Sequence, residues 1–349
     1  MQKTLKGMLS KKTLAIYMLS TVVVTATISF FSAKYFFSNK DTDVDNPDVA
    51  GNSKKMLKPE CRYDITRLKG FKRIGPIVSA AQECEEETLM PLKMNVANYI
   101  DNEKNAGRII DASVYMRRLS DDAWVNINPE ITYHPASLLK VPQLITYLKM
   151  AETEPGLLDR KYVFNTPIGE MPVQYYSAKT LQPGHKYSIK ELFHYMIVYS
   201  DNYANLELVS RMNMNVFNKT FRDLQLTPPD LMDQDYTIST RDYSKFLETL
   251  YNAAYLSMQA SEYATELLVE ATFKDGILKK IPRTVPVAHK MGEWGDGNTV
   301  ELHDCGIVYI EGSPYIITIM TRGKDMNMLS EAVANISKIV YDSMVGPAM

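Results

Sequence analysis

The chain is 349 residues long, 45% hydrophobic and 23% charged, with a formal net charge of −2. That is enough chain for one large domain or two modest ones plus extra segments. The near-neutral balance, with no long basic stripe, gives no case for nucleic acid as a partner, and three cysteines do not make a disulfide-dense scaffold.

Lys3, Lys6, Lys11 and Lys12 precede an uncharged apolar run over 14–33. The run has the roughly 20 residues that a bilayer-spanning helix needs. The positive-inside rule then predicts a basic cytoplasmic N-terminus (1–12), a transmembrane signal anchor (13–37) and an extracytoplasmic remainder in a single-pass membrane protein. A cleaved signal peptide is the rival, but the apolar core is long for one and no clean small-x-small site precedes the polar stretch. Asp, Asn, Ser, Gly and Lys after Ser38 read as a tether, so 38–86 is expected to be a linker and a short extracytoplasmic segment. Within it, "CRYDITRLKGFKRIGPIVSAAQEC" has no decisive periodicity. Glu83, Glu85, Glu86 and Glu87 read as a solvated charge run. Cys61 and Cys84 pair in an oxidising compartment, or all three cysteines, Cys305 included, are free; both readings stay open.

The globular domain is expected over 87–349. Leu92, Val96, Tyr99 and Ile100 have helical spacing, and 112–119 with 124–128 predict a hairpin turning at "SDDA". A helical region follows from Ser137, giving an insertion over about 137–285. In it, Ser188 and Glu191 form a capping-box pair. "VPVAHKM", "TVELHDCGIVYI" and "PYIITIMTR" then predict three strands, with "GDGN" as a turn, before a last helix from about Met326 to Ser343. Two strand groups so far apart in sequence imply an α+β fold. Its expected form is a five-stranded antiparallel sheet flanked by the terminal helices, with an all-helical subdomain beside it.

"YHPASLLKVPQL" (133–144) carries the first candidate chemistry. Ser137 stands where a helix begins, and Lys140 shares its face three residues on. Free backbone N–H groups and the helix dipole at that point favour a developing oxyanion. A lysine in apolar surroundings loses its charge more readily, so Lys140 can act as the base that activates a serine nucleophile. The bland alternative is a capping serine and a snorkelling lysine. "YSDNYANLELV" places Ser200, Asp201 and Asn202 in a break between helical runs, where an ordinary N-cap is the plain reading. "VAHKMGEWG" ends an apolar strand in Lys290, followed by Gly292, which permits close approach to the strand edge.

These motifs run S-x-x-K, S-D-N, K-x-G, separated by 63 residues (200 − 137) and 90 residues (290 − 200). The chain resembles the class A β-lactamase family of penicillin-recognising serine hydrolases, with "PASLLKVP" especially close. The resemblance implies Ser137 as the acylated nucleophile, Lys140 as its proton acceptor and Ser200 as proton donor to the departing nitrogen. It implies substrate-binding roles for Asn202, Lys290, Gly292, Glu293 and Tyr175 (or its neighbour Tyr176), with the backbone N–H groups of Ser137 and Glu293 as the oxyanion hole. The implied substrate is a β-lactam or a cell-wall peptide.

Three features depart from the family pattern. Met291 stands where a hydroxyl normally binds the substrate carboxylate. "LHDCGIVYI" offers no arginine. No glutamate followed by x-x-Leu-Asn lies between Asn202 and Lys290; the nearby acids are Asp230, Asp233 and Asp235. Acylation is therefore expected to be equipped and deacylation not, which leaves two outcomes: a hydrolase that turns over, or a membrane-anchored penicillin- or D-Ala-D-Ala-binding protein with slow or no deacylation. No cofactor is expected: the five histidines lack zinc-ligand spacing, and no Gly-rich phosphate loop follows a strand.

Overall fold

The computed structural model describes residues 62–165, 174–176, 179–230 and 235–346. The expected membrane segment 13–37, Cys61 and Asp233 lie outside the described residues. Among the described residues, no helix is long and apolar enough to cross a membrane.

The elements follow in chain order. Strands β1 (Tyr63–Arg67) and β2 (Ile77–Gln82) precede helix α1 (Met90–Asn105). Strands β3 (Asp111–Arg118) and β4 (Trp124–Ile127) lead into helix α2 (Lys140–Ala151). Strands β5 (Lys161–Val163) and β6 (Lys186–Ser188) come next, then α3 (Ile189–Val198), α4 (Asn202–Val209), α5 (Met214–Asp223), α6 (Thr240–Tyr251) and α7 (Met258–Val269). Strands β7 (Val287–Gly295), β8 (Val300–Val308) and β9 (Tyr315–Gly323) lead to helix α8 (Met326–Val345).

The central sheet has the order β4-β3-β9-β8-β7, with every neighbouring pair antiparallel. This is the α+β, five-stranded arrangement expected from the sequence. Strand β9 is buried on both faces, which is why it reads as a near-continuous apolar run; β8 is equally buried but carries Glu301, His303 and Asp304, each hydrogen-bonded. One face is covered by the terminal helices: Leu92, Val96 and Ile100 of α1 and Leu329, Val333 and Ile336 of α8 share a core with Val114, Ile317 and Ile319. The other face contributes Ala288, Cys305, Ile307 and Ile316 to a second core with Val141, Phe193 and Phe246 of the helical subdomain.

Local chemistry sets the element ends near the site. Ser188 Oγ accepts the Glu191 N–H and the Glu191 carboxylate accepts the Ser188 N–H, so the expected capping box starts α3. The insertion is not wholly helical, because β5 and β6 pair as a two-stranded sheet within it. Residues 63–82, expected as part of a linker and short segment, form the β1–β2 hairpin bonded to the domain: Ser79 Oγ donates to Glu248 on α6, Arg117 Nη2 to the Ala80 carbonyl, and Trp124 Nε1 to the Gln82 carbonyl. Cys84 is disulfide-bonded and Cys305 is a buried free thiol.

Candidate active site

Ser137 lies on a single 3-10 turn, Ala136–Leu139, that runs directly into α2. Ala136 holds φ +47°, a left-handed conformation that a side chain disfavours and that persists only where surrounding structure enforces it. Pro135 fixes the entry to the turn. No described residue hydrogen-bonds Ser137 Oγ. At i+3 on a 3-10 turn, Lys140 falls on the same side as Ser137, but its side chain runs inward and is 2% exposed.

Lys140 Nζ donates to the Ser200 carbonyl at 2.7 Å and to Asn202 Oδ1 at 2.8 Å, with Ser200 Oγ at 3.3 Å. Burial lowers its pKa well below the ordinary lysine value, and the neighbouring Lys290 charge lowers it further; Asp201 and Glu293 oppose the shift. A neutral amine has two N–H bonds for the two short contacts and one lone pair left for a proton. Sequence reasoning placed Lys140 against Ser137; the amine is bonded instead to the S-D-N segment.

That segment is held by Asp201. Its carboxylate accepts the Tyr203 N–H and so caps α4, and it also accepts Thr180 Oγ1 and the Leu181 N–H. Because Asp201 does the capping, Ser200 is left free of it. Ser200 sits at φ +57°, and its hydroxyl takes a 2.8 Å bond from Lys290 Nζ. Two amines from different elements thus converge on one hydroxyl.

Lys290 is 1% exposed on β7, and its Nζ also donates to the Met291 carbonyl at 3.0 Å. Burial pulls its pKa from 10.5 down to about 7, against the opposing charges of Asp304 and Glu293. Asp304 is itself fully buried, bonded to His289 Nδ1 at 2.8 Å and to the Ile277 N–H at 2.8 Å. Met291 turns into the core beneath the terminal helices. It offers no hydroxyl, and an apolar side chain fits that position.

Gly292 marks where β7 meets the Ser137 turn. A Cβ there would lie 2.8 Å from the Pro135 carbonyl and 2.9 Å from Leu138 Cγ. The close approach expected at this glycine is therefore to the Ser137 turn itself. Glu293, next along, aims its carboxylate across the site at the Tyr175 N–H (2.9 Å) and the Tyr176 N–H (3.1 Å). Burial raises its pKa, offset by those two N–H bonds and by Lys290 and Lys140.

The Tyr175 ring, expected as a wall of the site, is 56% exposed, with its hydroxyl near Asn327. Tyr176 instead packs edge-on against Phe273 and lines a cavity of about 230 Å³ with Ser200, Phe273, Lys274, Lys290 and Met291. Lys274 is a cation that sequence reasoning missed; burial lowers its pKa and Asp304 opposes the shift. Its one sequence signal was a place in the turn "FKDG". No described carboxylate hydrogen-bonds Ser137 or Lys140, and no group of potential metal ligands occurs among the described residues.

A family model described as "Beta-lactamase enzyme family" matches residues 92–344. Among solved structures, the chain is similar to the L158E mutant of PBP-A in an acyl-enzyme complex with penicillin G, at 21% identity and TM-score 0.60 over 73% of this chain and 96% of that one. It is similar to the TLA-1 extended-spectrum beta-lactamase at 18% identity and TM-score 0.63, over 74% of this chain and 100% of that one. A beta-lactamase from Sphaerobacter thermophilus matches at 16% identity and TM-score 0.61, over 73% and 98%. At such identities the structures establish a shared fold. No curated protein matches.

Proposed function

Because the chain belongs to the beta-lactamase enzyme family, we propose that it is a serine hydrolase that forms an acyl-enzyme on Ser137 and hydrolyses the cyclic amide of a β-lactam. The observation that carries the proposal is the convergence of Lys140 and Lys290 on Ser200 beside the Ser137 turn. Ser137 Oγ attacks the carbonyl carbon while its proton passes to the neutral Lys140 amine. The backbone N–H groups of Ser137 and Glu293 receive the oxyanion. As the C–N bond breaks, Ser200 Oγ gives its proton to the leaving nitrogen and is reprotonated from Lys140. Charged Lys290 holds Ser200 and adds positive potential where an anionic substrate group would sit. Water then cleaves the acyl–oxygen bond to restore Ser137.

A second reading is favoured by Met291 and by the lack of a described carboxylate on Ser137 or Lys140. General-base catalysis typically contributes about 10² to 10⁴ in rate, so a site without that base acylates and then stalls. The protein would then be a penicillin-binding or D-Ala-D-Ala peptide-binding protein. The similar PBP-A mutant, solved as a penicillin G acyl-enzyme, lends support to the acylation step in either case. The segment over 13–37 supports a membrane-anchored, extracytoplasmic domain.

Time-resolved mass spectrometry with a penicillin or a cephalosporin tests both. A covalent adduct that rises and decays supports the hydrolase, and a lasting adduct supports the binding protein. No adduct, or one that persists in Ser137→Ala, overturns the assignment of Ser137.

A further inference from the structure

The β1–β2 hairpin has two unlike faces. Its inner face packs on the domain through Thr66, Val78 and Ser79, with Val78 at 1% exposure. Its outer face presents Tyr63, Ile65 and Ile77, and the connecting turn adds Phe71 and Ile74, the last at 64% exposure. Apolar side chains grouped this way on a solvated turn mark an interaction surface.

The end of β1 and the connecting turn carry charges of one sign: Arg67, Lys69, Lys72 and Arg73, with no acid from 67 to 75. From 62 to 75 the chain holds Arg62, Arg67, Lys69, Lys72 and Arg73 against one acid, Asp64. Asp64 is exposed at the rim of a small cavity that it lines with Thr66, Ser79, Arg117 and Glu248. Arg67 reaches across the turn to the Gly75 carbonyl, and Arg62, Lys69, Lys72 and Arg73 are exposed. Cations interleaved with exposed aromatic and aliphatic side chains suit the boundary between anionic headgroups and acyl chains.

Position in the chain selects the occupant. The segment over 13–37 ends 25 residues before Arg62 (62 − 37). Fully extended, such a length spans at most about 90 Å, so on the membrane-anchored reading the tether holds the domain within that distance of the bilayer.

We propose that the turn of the β1–β2 hairpin seats on the anionic phospholipid surface of that bilayer, with Phe71 and Ile74 entering the interface and Lys69, Lys72 and Arg73 contacting lipid phosphates. The proposal rests on the membrane-anchored reading and not on the hydrolase chemistry. Because β2 is bonded to α6 and to β3, a seated turn also fixes the orientation of the sheet above the bilayer.

The test uses the full chain, reconstituted in phosphatidylcholine vesicles with or without phosphatidylglycerol, carrying an environment-sensitive fluorophore on Ile74→Cys. The parent chain, labelled in parallel, gives the background. Alkaline carbonate extraction reports separately whether the N-terminal segment is inserted. The expected result is a blue shift that grows with phosphatidylglycerol content and is lost at high salt. Each charge removed in the series K69Q, K72Q, R73Q is expected to lower the docked-to-undocked ratio about fivefold. These side chains are exposed on a turn, and the salt dependence of the unmutated chain gives the same information should a variant misfold. An inserted chain whose emission is the same in both vesicles overturns the proposal. A shift that follows protein density rather than anionic lipid also overturns it, and points to a second copy as the occupant.

Discussion

Lys290 Nζ reaches Ser200 Oγ at 2.8 Å across 90 residues of chain, and both groups are buried. The hydroxyl is thereby held against an amine that burial has brought close to losing its proton at neutral pH. The pH behaviour of the site should follow that one group.

The unfolded chain keeps the Lys290 proton up to about 10.5, whereas the folded chain keeps it only to about 7. Folding expels the proton inside that window, so the stability attributable to Lys290 rises as pH goes from 7 to 10.5, and the burial penalty is at its full size below 7. The slope is about 1.4 kcal/mol per pH unit. Lys290→Met is therefore expected to unfold at higher urea than the parent at pH 6, with the gap closing by pH 10. An equal gap at both pH values would show that the lysine is not the group that titrates. The acylation rate should also bend near pH 7 in the parent and lose that bend in Lys290→Met.

Lys140→Met keeps the buried stem and removes the amine. The carbonyl of Ser200 and Oδ1 of Asn202 lose a donor at 2.7 and 2.8 Å, and Ser137 loses its proton acceptor. Adduct formation, followed by mass spectrometry, should slow by about 10² to 10⁴. A variant that acylates at the parent rate would remove Lys140 from the chemistry.

Gly292→Ala would set a methyl 2.8 Å from the Pro135 carbonyl, closer than real Cβ contacts come, so β7 and the Ser137 turn must separate. Misplacing a reacting group by about 1 Å costs on the order of 10² in rate. We expect the adduct to form about a hundredfold more slowly, with the circular dichroism spectrum unchanged. Unaltered acylation would mean that the turn yields without disturbing Ser137.

Glu248 lies opposite buried Arg117 at 2.7 Å and also receives Ser79 Oγ. Removing one member of a buried ion pair costs about 3–5 kcal/mol, whereas replacing both by apolar groups is often neutral. Glu248→Ala should lower the denaturation midpoint sharply, and Arg117→Met with Glu248→Met should recover most of the loss. A double variant as weak as the single would place the stabilisation elsewhere in the hairpin contact.

Much of the architecture was legible because it is written in local patterns. The capping box of Ser188 and Glu191, the turn at "GDGN" and the three long strands each need only neighbouring residues. The three motifs named Lys140, Ser200, Asn202 and Lys290, which the fold brings together by hydrogen bonds. What was not legible depends on contacts over long separations. The bonds from Tyr175 and Tyr176 to Glu293 span 118 and 117 residues, and no periodicity announces them. Lys140 turns to Asn202 rather than Ser137 because burial on α2 leaves the S-D-N segment as its polar neighbour. The β1–β2 hairpin escaped notice for a related reason. Tyr63, Ile65 and Ile77 are apolar on the exposed face, while Thr66 and Ser79 are the inward residues, which inverts the usual alternation.

On the proposed membrane-anchored reading, the hairpin's attachment to α6 limits where the chain can be cut without harm to the fold. A protease that cuts within 38–60 leaves the β1–β2 hairpin bonded to α6 and β3. A form trimmed past Cys84 would lose the Ser79 bond to Glu248 and the Ala80 carbonyl on Arg117, and should be short-lived.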